Sequence, residues 1–344
     1  MAATKKKRSR GLLYTAIILI SLLLFAVYKV FGPNIGSRTQ ADYLYIHTGA
    51  SYEQVRTSLQ QDGFVSDMGT FDILARLLKL PEHIHPGKYK IGSGMSTYHI
   101  IRLLHSGRQT PVKLVISKLR TKHDLVCLIG NSLEADSTSL LQMLNDTAHV
   151  AEFGFDTNTI MCAIIPDTYD FFWNTTADKA FRKIAKNYAR FWDDTRRKEA
   201  HDQNLTPEKA TIIASIVDEE TNMATDKPKI ASVYINRLHK NMLLQADPTV
   251  KFAVGDFTIR RIAGNMLQNP SPYNTYVHTG LPPGPICTPS ASSVDAVLQA
   301  PQTTYLYFCA KEDFSGYSNF ASTYEEQLKN AHIYQQALNA RGIH

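Results

Sequence analysis

One carboxylate occupies a place where the surrounding pattern calls for an apolar residue. Thr206-Pro207 reads as a helix start, with Thr at the N-cap and Pro at the first helical position. The spacing predicts a helix from Glu208 to about Thr221, whose buried face includes Ile213, Ile216 and Val217. Position 220 lies three residues after 217, four after 216 and seven after 213. Glu220 therefore continues the apolar stripe, while Glu219 and Asp218 project progressively away from it. Burial, the helix C-terminus and two neighbouring acids all disfavour the charged form, so Glu220 is expected to keep its proton to an unusually high pH. A carboxyl still protonated near neutrality is what general-acid chemistry needs. The plainer alternative is a glutamate that marks the helix end, solvated or paired to Arg237. The helix alone leaves both readings open.

A second helix follows, starting at Thr225 or Asp226 with Pro228 early in it. Ile230, Val233, Tyr234 and Leu238 form its inner stripe, and Asn236 and Arg237 stand near its end. Three segments then concentrate hydrogen-bonding and aromatic side chains: LQADPT at 244–249, SPYNTY at 271–276 and TGLPPGPI at 279–286. Runs rich in Pro and Gly form rigid, non-repeating loops. Aromatic faces that stack on sugar C–H surfaces, beside amides that bond hydroxyl and N-acetyl groups, suit carbohydrate. Ordinary connecting loop is the competing reading.

These elements sit in a chain of 344 residues, long enough for two or three domains. Hydrophobic residues at 44% and charged residues at 20% exclude a disordered chain. The 37 Lys and Arg exceed the 31 Asp and Glu, a formal charge of +6. Lys5, Lys6, Lys7, Arg8 and Arg10 supply nearly all of that excess, so the body of the chain is close to neutral. No nucleic-acid partner is expected. An uncharged stretch, 11–28, follows the basic run; Val30 and Phe31 extend it past Lys29, which can snorkel its amine. A spanning helix needs about 20 apolar residues, and this one is just long enough. Gly32-Pro33 then stops it. A cleaved signal peptide is the alternative, but its apolar core is shorter and Ala26-Val27-Tyr28 makes a poor cleavage site. The expectation is a single retained anchor at 11–31, with 1–10 as a cytoplasmic basic tail and everything later outside.

Residues 32–40 (GPNIGSRTQ) read as a linker, and 41–110 as a small α+β region. Tyr43-Leu44-Tyr45-Ile46 is β-prone, Ser51 caps a helix, and 71–80 forms another that ends before Pro81. PGKYKI at 86–91 reads as turn plus strand, and Ser96-Thr97 caps a helix closed by Gly107. No chemistry is visible there; a folding spacer and a glycan-binding module both stay open. Further on, 178–192 is a clear amphipathic helix, while 193–204 is polar and reads as solvated. Cys127, Cys162, Cys287 and Cys309 form no CxxC pair and the histidines are scattered, so no metal site is indicated. Whether those thiols pair stays open.

Four ordered blocks carry a resemblance: ASIVDEET at 214–221, ASVYINRL at 231–238, LQADPT at 244–249, and YNTY at 273–276 followed by GLPPGPI at 280–286. On these the chain resembles the membrane-bound endolytic lytic transglycosylases of bacteria, the YceG-like family. HPGKY at 85–89 resembles a turn in that family's LysM-like part. The resemblance implies an α+β protein with a single N-terminal transmembrane helix, a small LysM-like α+β subdomain over 41–110, and a mixed α/β catalytic domain over 111–344. The family's catalytic glutamate directly precedes the threonine of the first block, which is Glu220 here. Family members often carry Glu where Asp218 stands, a departure of little expected consequence. Histidines are common in the family where this chain has Ser318 and Gln327, so a histidine role there does not carry over.

The implied reaction cleaves the β-1,4 bond between N-acetylmuramic acid and N-acetylglucosamine inside peptidoglycan strands and leaves 1,6-anhydro ends. Asn236, Gln245, Asp247, Thr249, Tyr273, Asn274 and Tyr276 are the candidates for binding and orienting the sugars. No cofactor is implied. Expected partners are peptidoglycan glycan strands, the bacterial cytoplasmic membrane through 11–31 and, as candidates, peptidoglycan synthases. Two rivals stay open: a hydrolytic muramidase using Asp247 as second carboxylate, and a non-catalytic anchored glycan-binding scaffold.

Overall fold

The computed structural model describes residues 2–34, 42–92, 94–259, 261–262 and 264–342, with side chains from Gly11 onward. Residues 35–40 of the expected linker lie outside the described residues. The chain divides into two units: one holds the residues up to 112 together with 132–134 and 170–175, the other the remainder.

In the first unit, helix α1 runs through Ala2–Phe31. Its segment Gly11–Phe31 is long and apolar enough to cross a membrane, with mean hydropathy 2.4 and its apolar side chains turned outward. At 1.5 Å per residue such a segment reaches about 30 Å, the thickness of a hydrocarbon core. The basic tail continues the same helix rather than forming a separate element. Asn34, just past the helix end, is buried. Its amide donates to Thr97 Oγ1 (2.7 Å), while its carbonyl accepts from the Ser66 hydroxyl (2.6 Å) and the Asp67 backbone N–H (2.8 Å). Lys29 pairs with Asp67 at 2.8 Å, and this holds the Asp67 carboxyl down at about 2.

Strands β1 (Tyr43–Ile46) and β2 (Gly87–Lys90) pair antiparallel, with Leu44 opposite Tyr89. Alternation sends Leu44, Ile46 and Tyr89 into the core and leaves Tyr45 exposed. Three helices cover them: α2 (Tyr52–Gln61), α3 (Met68–Leu77) and α4 (Thr97–Ser106). Ser51 and Ser96 cap α2 and α4 as their sequence signals require, and Gly107 closes α4 in the left-handed conformation. Tyr89 donates its phenol to the His85 carbonyl (2.8 Å), which closes the HPGKY turn on itself. Phe64, Phe71, Ile100 and Ile101 complete this core.

The second unit is predominantly helical. Strand β3 (Val112–Ile116) leads to α5 (Lys122–Ser132), α6 (Ser137–Asn145) and α7 (Thr147–Ala151). Strand β4 (Asp167–Phe171), which pairs with β3, is followed by α8 (Ala177–Phe191) and α9 (Asp194–Asp202). Then come α10 (Pro207–Glu220), α11 (Lys227–His239), α12 (Asp247–Val254) and α13 (Ala291–Leu298). The antiparallel pair β5 (Tyr307–Ala310) and β6 (Ser318–Ala321) precedes α14 (Tyr324–Ala340). The expected mixed α/β architecture thus gives way to helices with two-stranded ribbons. The polar stretch 193–204 is mostly exposed, as expected. It forms α9, fixed by a forked contact from Arg196 to Asp295 (2.9 and 3.4 Å).

Helix α10 is the centre of this unit. Every residue from Ala210 to Asp218 is buried, and α9, α11, α12 and α13 pack around it. Burial on all sides explains why its apolar stripe is wide: Ile213, Ile216 and Val217 are each fully enclosed, worth about 1.5–3 kcal/mol apiece. Thr206 caps its first turn and Pro207 opens it.

Candidate active site

Glu220 is the last residue of α10 and opens onto a cleft of about 400 Å³. Residues from several elements line it: Arg237 from α11, Leu244, Gln245 and Asp247 at the entry to α12, Tyr276, Tyr307 and Phe308 from β5, and Tyr324 and Gln327 from α14. Tyr234, one turn before Arg237, donates its phenol to Glu220 Oε1 at 2.7 Å. Burial pushes the Glu220 carboxyl up to about 7; the Tyr234 bond and Lys251 oppose this, while Asp247 and Glu219 add to it.

The first of the three adjacent acids behaves differently from the expectation. Asp218 does not project away from the buried face but is itself buried. Lys227 meets its Oδ1 at 2.8 Å, Lys118 meets Oδ2 at 3.1 Å, and the Ser290 and Ser293 hydroxyls donate to Oδ1. Burial works to raise its carboxyl, but Lys227, Ser293 and Lys118 outweigh it and hold the group well below the usual range. Glu219 is clamped by Lys118 (3.0 Å) and Arg120 (3.1 Å). Among the neighbouring acids, Asp247 and Glu219 add most to the upward push on Glu220.

Arg237 does not pair with Glu220. Its guanidinium donates to the carbonyls of Leu306 (2.7 Å), Leu243 and Leu244 (3.0 Å each) and to Gln245 Oε1 (3.2 Å). These bonds fasten the end of α11 to the loop before α12. Gln245 sits at φ +52°, a left-handed turn that aims the chain into α12. Thr275 then buckles the LQADPT and YNTY segments together: its carbonyl accepts from Gln245 N–H (3.1 Å), and its hydroxyl accepts from Ala246 N–H (3.0 Å) and meets Thr249 Oγ1 at 2.9 Å. This buckle brings Tyr276 to Asp247, whose Oδ1 accepts the phenol proton at 2.6 Å. Along α10, the Ser215 hydroxyl accepts from Ile286 N–H (3.1 Å), seating the proline-rich loop against the catalytic-candidate helix.

A profile of the YceG-like family matches residues 44–333. The chain belongs to the YceG-like family. It is 27% identical over 311 residues to an endolytic murein transglycosylase of Bacillus subtilis, covering 86% of this chain and 85% of that one. It is 24% identical over 320 residues to an endolytic murein transglycosylase of Streptococcus pneumoniae, covering 83% of this chain and 57% of that one. A crystal structure of a YceG-like protein from Listeria monocytogenes superposes with a TM-score of 0.56 at 27% identity, covering 83% of this chain and 97% of that one.

Of the residues singled out from sequence, this YceG-like chain gathers Glu220, Gln245, Asp247 and Tyr276 around the cleft. Asn236, Thr249, Tyr273 and Asn274 are not among the lining residues. Asn236 donates to the Thr303 and Tyr305 carbonyls (2.9 Å each). Asn274 donates to the carbonyls of Leu267 (3.0 Å) and Asn269 (2.8 Å), and Thr249 is fully enclosed. Tyr273 packs its ring on Phe252, with centroids 4.6 Å apart. Sequence reasoning missed Arg237, Tyr307, Phe308 and Tyr324 as lining residues. Gln327, which stands at a family histidine position, lines the cleft; its amide donates to the Phe308 carbonyl at 3.2 Å, and its buried Oε1 has no hydrogen-bond partner among the described residues. Ser318, at the other such position, donates its backbone N–H to Asp226 (2.7 Å). All four cysteines are free thiols, with Cys162 and Cys287 buried.

Proposed function

We propose that this protein is an endolytic peptidoglycan lytic transglycosylase. It cuts the β-1,4 bond between N-acetylmuramic acid and N-acetylglucosamine within a strand and leaves a 1,6-anhydro end, so terminating nascent strands. The observation that carries this reading is a carboxyl pushed up to about 7 by burial at the wall of an open cleft. Glu220 protonates the leaving glycosidic oxygen. The resulting carboxylate then takes the proton of the sugar's own 6-hydroxyl as that oxygen closes on the anomeric carbon. General acid–base help of this kind is worth about 10²–10⁴-fold. The nucleophile is already attached, and well-oriented internal nucleophiles reach effective molarities of about 10⁵–10⁸ M. A second carboxylate to activate water, as ordinary glycosidases use, is not needed. Gln245, Asp247 and Tyr276 are the residues we assign to holding the sugars, and the aromatic side chains of Tyr307, Phe308 and Tyr324 widen the stacking surface. Gly11–Phe31 anchors the protein in the cytoplasmic membrane with the cleft on the outer side, next to peptidoglycan synthases, and residues 41–110 act as its LysM-like module.

Digestion of purified peptidoglycan with the full-length protein, followed by mass spectrometry, tests the reading. Anhydro-ended fragments are expected, with Glu220→Gln folded but at least a hundredfold slower. Reducing ends would replace the proposal with hydrolysis, and the absence of cleavage would replace it with a scaffold role.

A further inference from the structure

We propose that Tyr234 is a positioning residue for Glu220: its phenol holds Oε1, leaves Oε2 to carry the proton into the cleft, and stabilises the carboxylate formed when that proton departs. This rests on the acid–base reading of Glu220 given above.

Tyr234 lies on the inner face of α11, 1% exposed, with Phe308 packed edge-on against its ring at 6.1 Å and 89°. Its hydroxyl has a defined acceptor, Glu220 Oε1 at 2.7 Å. Burial and the adjacent Glu220 push the phenol far up, so it stays a neutral donor through the working range of pH. A protonated carboxyl that accepts from Tyr234 through Oε1 presents Oε2–H as its donor. Among the described residues, nothing in the chain bonds Oε2, and the residue faces the cleft. Proton transfer to a glycosidic oxygen turns the neutral Tyr234–Glu220 bond into a charge-assisted one, which is roughly twice as strong. The phenol thus favours the product of the protonation step over its starting state, which is the requirement for catalytic benefit.

The other groups facing Glu220 act through space. Glu219 comes from its own helix, Asp247 and Lys251 from α12, and Tyr276 and Arg237 share the cleft. Asp247 and Glu219 make Glu220 a weaker acid, and Lys251 makes it a stronger one. Tyr234 works with Lys251, and among the described residues it alone also fixes which oxygen is occupied. The plain alternative is a core tyrosine whose hydroxyl happens to find a carboxylate. That alternative also shifts the titration of Glu220, as any donor to a carboxylate does, but leaves kcat on the plateau of the pH profile unchanged.

Tyr234→Phe in the full-length protein keeps the ring and its contact with Phe308. The alkaline limb of the kcat/KM profile is expected to move up by about one pH unit, a tenfold change in proton affinity. A fall in kcat of tenfold or more, with KM changed less than twofold, should accompany it. An unmoved limb, or an unchanged kcat on the plateau, overturns the proposal. Difference infrared titration of the Glu220 carboxyl, with Glu220→Gln as the blank, reads the same shift without turnover. It serves if Tyr234→Phe is inactive, and an unmoved midpoint there also overturns the proposal. If the native protein makes no anhydro ends while the infrared midpoint still shifts, it is the transglycosylase reading that fails and not the role of Tyr234.

Discussion

Tyr276 donates its phenol proton to Asp247 Oδ1 across 2.6 Å. The second acid of the cleft is therefore already engaged, and its charge bears on Glu220 by raising it. Removing that charge with Asp247→Asn should make Glu220 a stronger acid. Its protonated form is then lost at lower pH, so the alkaline limb of the rate profile moves down. Products should remain anhydro-ended. If Asp247→Asn abolished cleavage, or if native products carried reducing ends, Asp247 would be the base of a hydrolase instead. A pH–rate series with product analysis separates the cases.

Lys227 and Lys118 both reach Asp218 beneath the end of α10. Truncating one partner of a buried pair leaves the other charge unpaired, which costs about 3–5 kcal/mol. Lys227→Met should fall near the lower end, about 3 kcal/mol, because Lys118 remains. Chemical denaturation followed by circular dichroism measures this.

The same acid predicts a pH dependence of stability. The folded protein holds Asp218 well below its ordinary value, with lysine and serine contacts overcoming the effect of burial. A depressed carboxyl stabilises the fold above its unfolded pKa, about 4, and that contribution is lost as pH falls below it. Denaturation midpoints of the native protein should therefore drop below pH 4 more steeply than those of Asp218→Asn. Parallel curves in acid would show that Asp218 is not the group responsible.

Gly284 lies in the proline-rich loop where a Cβ would come within 2.2 Å of the Asn158 carbonyl oxygen and 3.1 Å of the Tyr273 hydroxyl. The first obstacle is backbone and cannot swing aside. Gly284→Ala should destabilise by about 1–3 kcal/mol, the usual cost of overpacking. A thermal melt reads it, and an unchanged midpoint would mean that the loop shifts freely.

Glu220 was legible because its spacing from Ile213, Ile216 and Val217 is a property of one helix. The helix starts at Ser51, Ser96 and Thr206 were legible for the same reason, since capping is local. Asp218 was misread because its partners come from elsewhere: Lys118 precedes it by 100 residues, and Ser293 follows by 75. Asn236, Thr249 and Asn274 looked like ligand-binding groups by type. Nothing in a linear pattern distinguishes an amide that meets a sugar from one that meets a nearby carbonyl. Tyr307, Phe308, Tyr324 and Gln327 reach the cleft only because β5 packs on α11 and α14 packs on the β5–β6 ribbon, a long-range event that periodicity does not encode.

The amide of Asn34 ties α1 to α3 and α4 at once, through Ser66, Asp67 and Thr97, while Lys29 grips Asp67 from the helix itself. Mechanically this is a staple, not a swivel. Torque on α1 turns the first unit with it, and tension drawn along the helix loads these side-chain bonds.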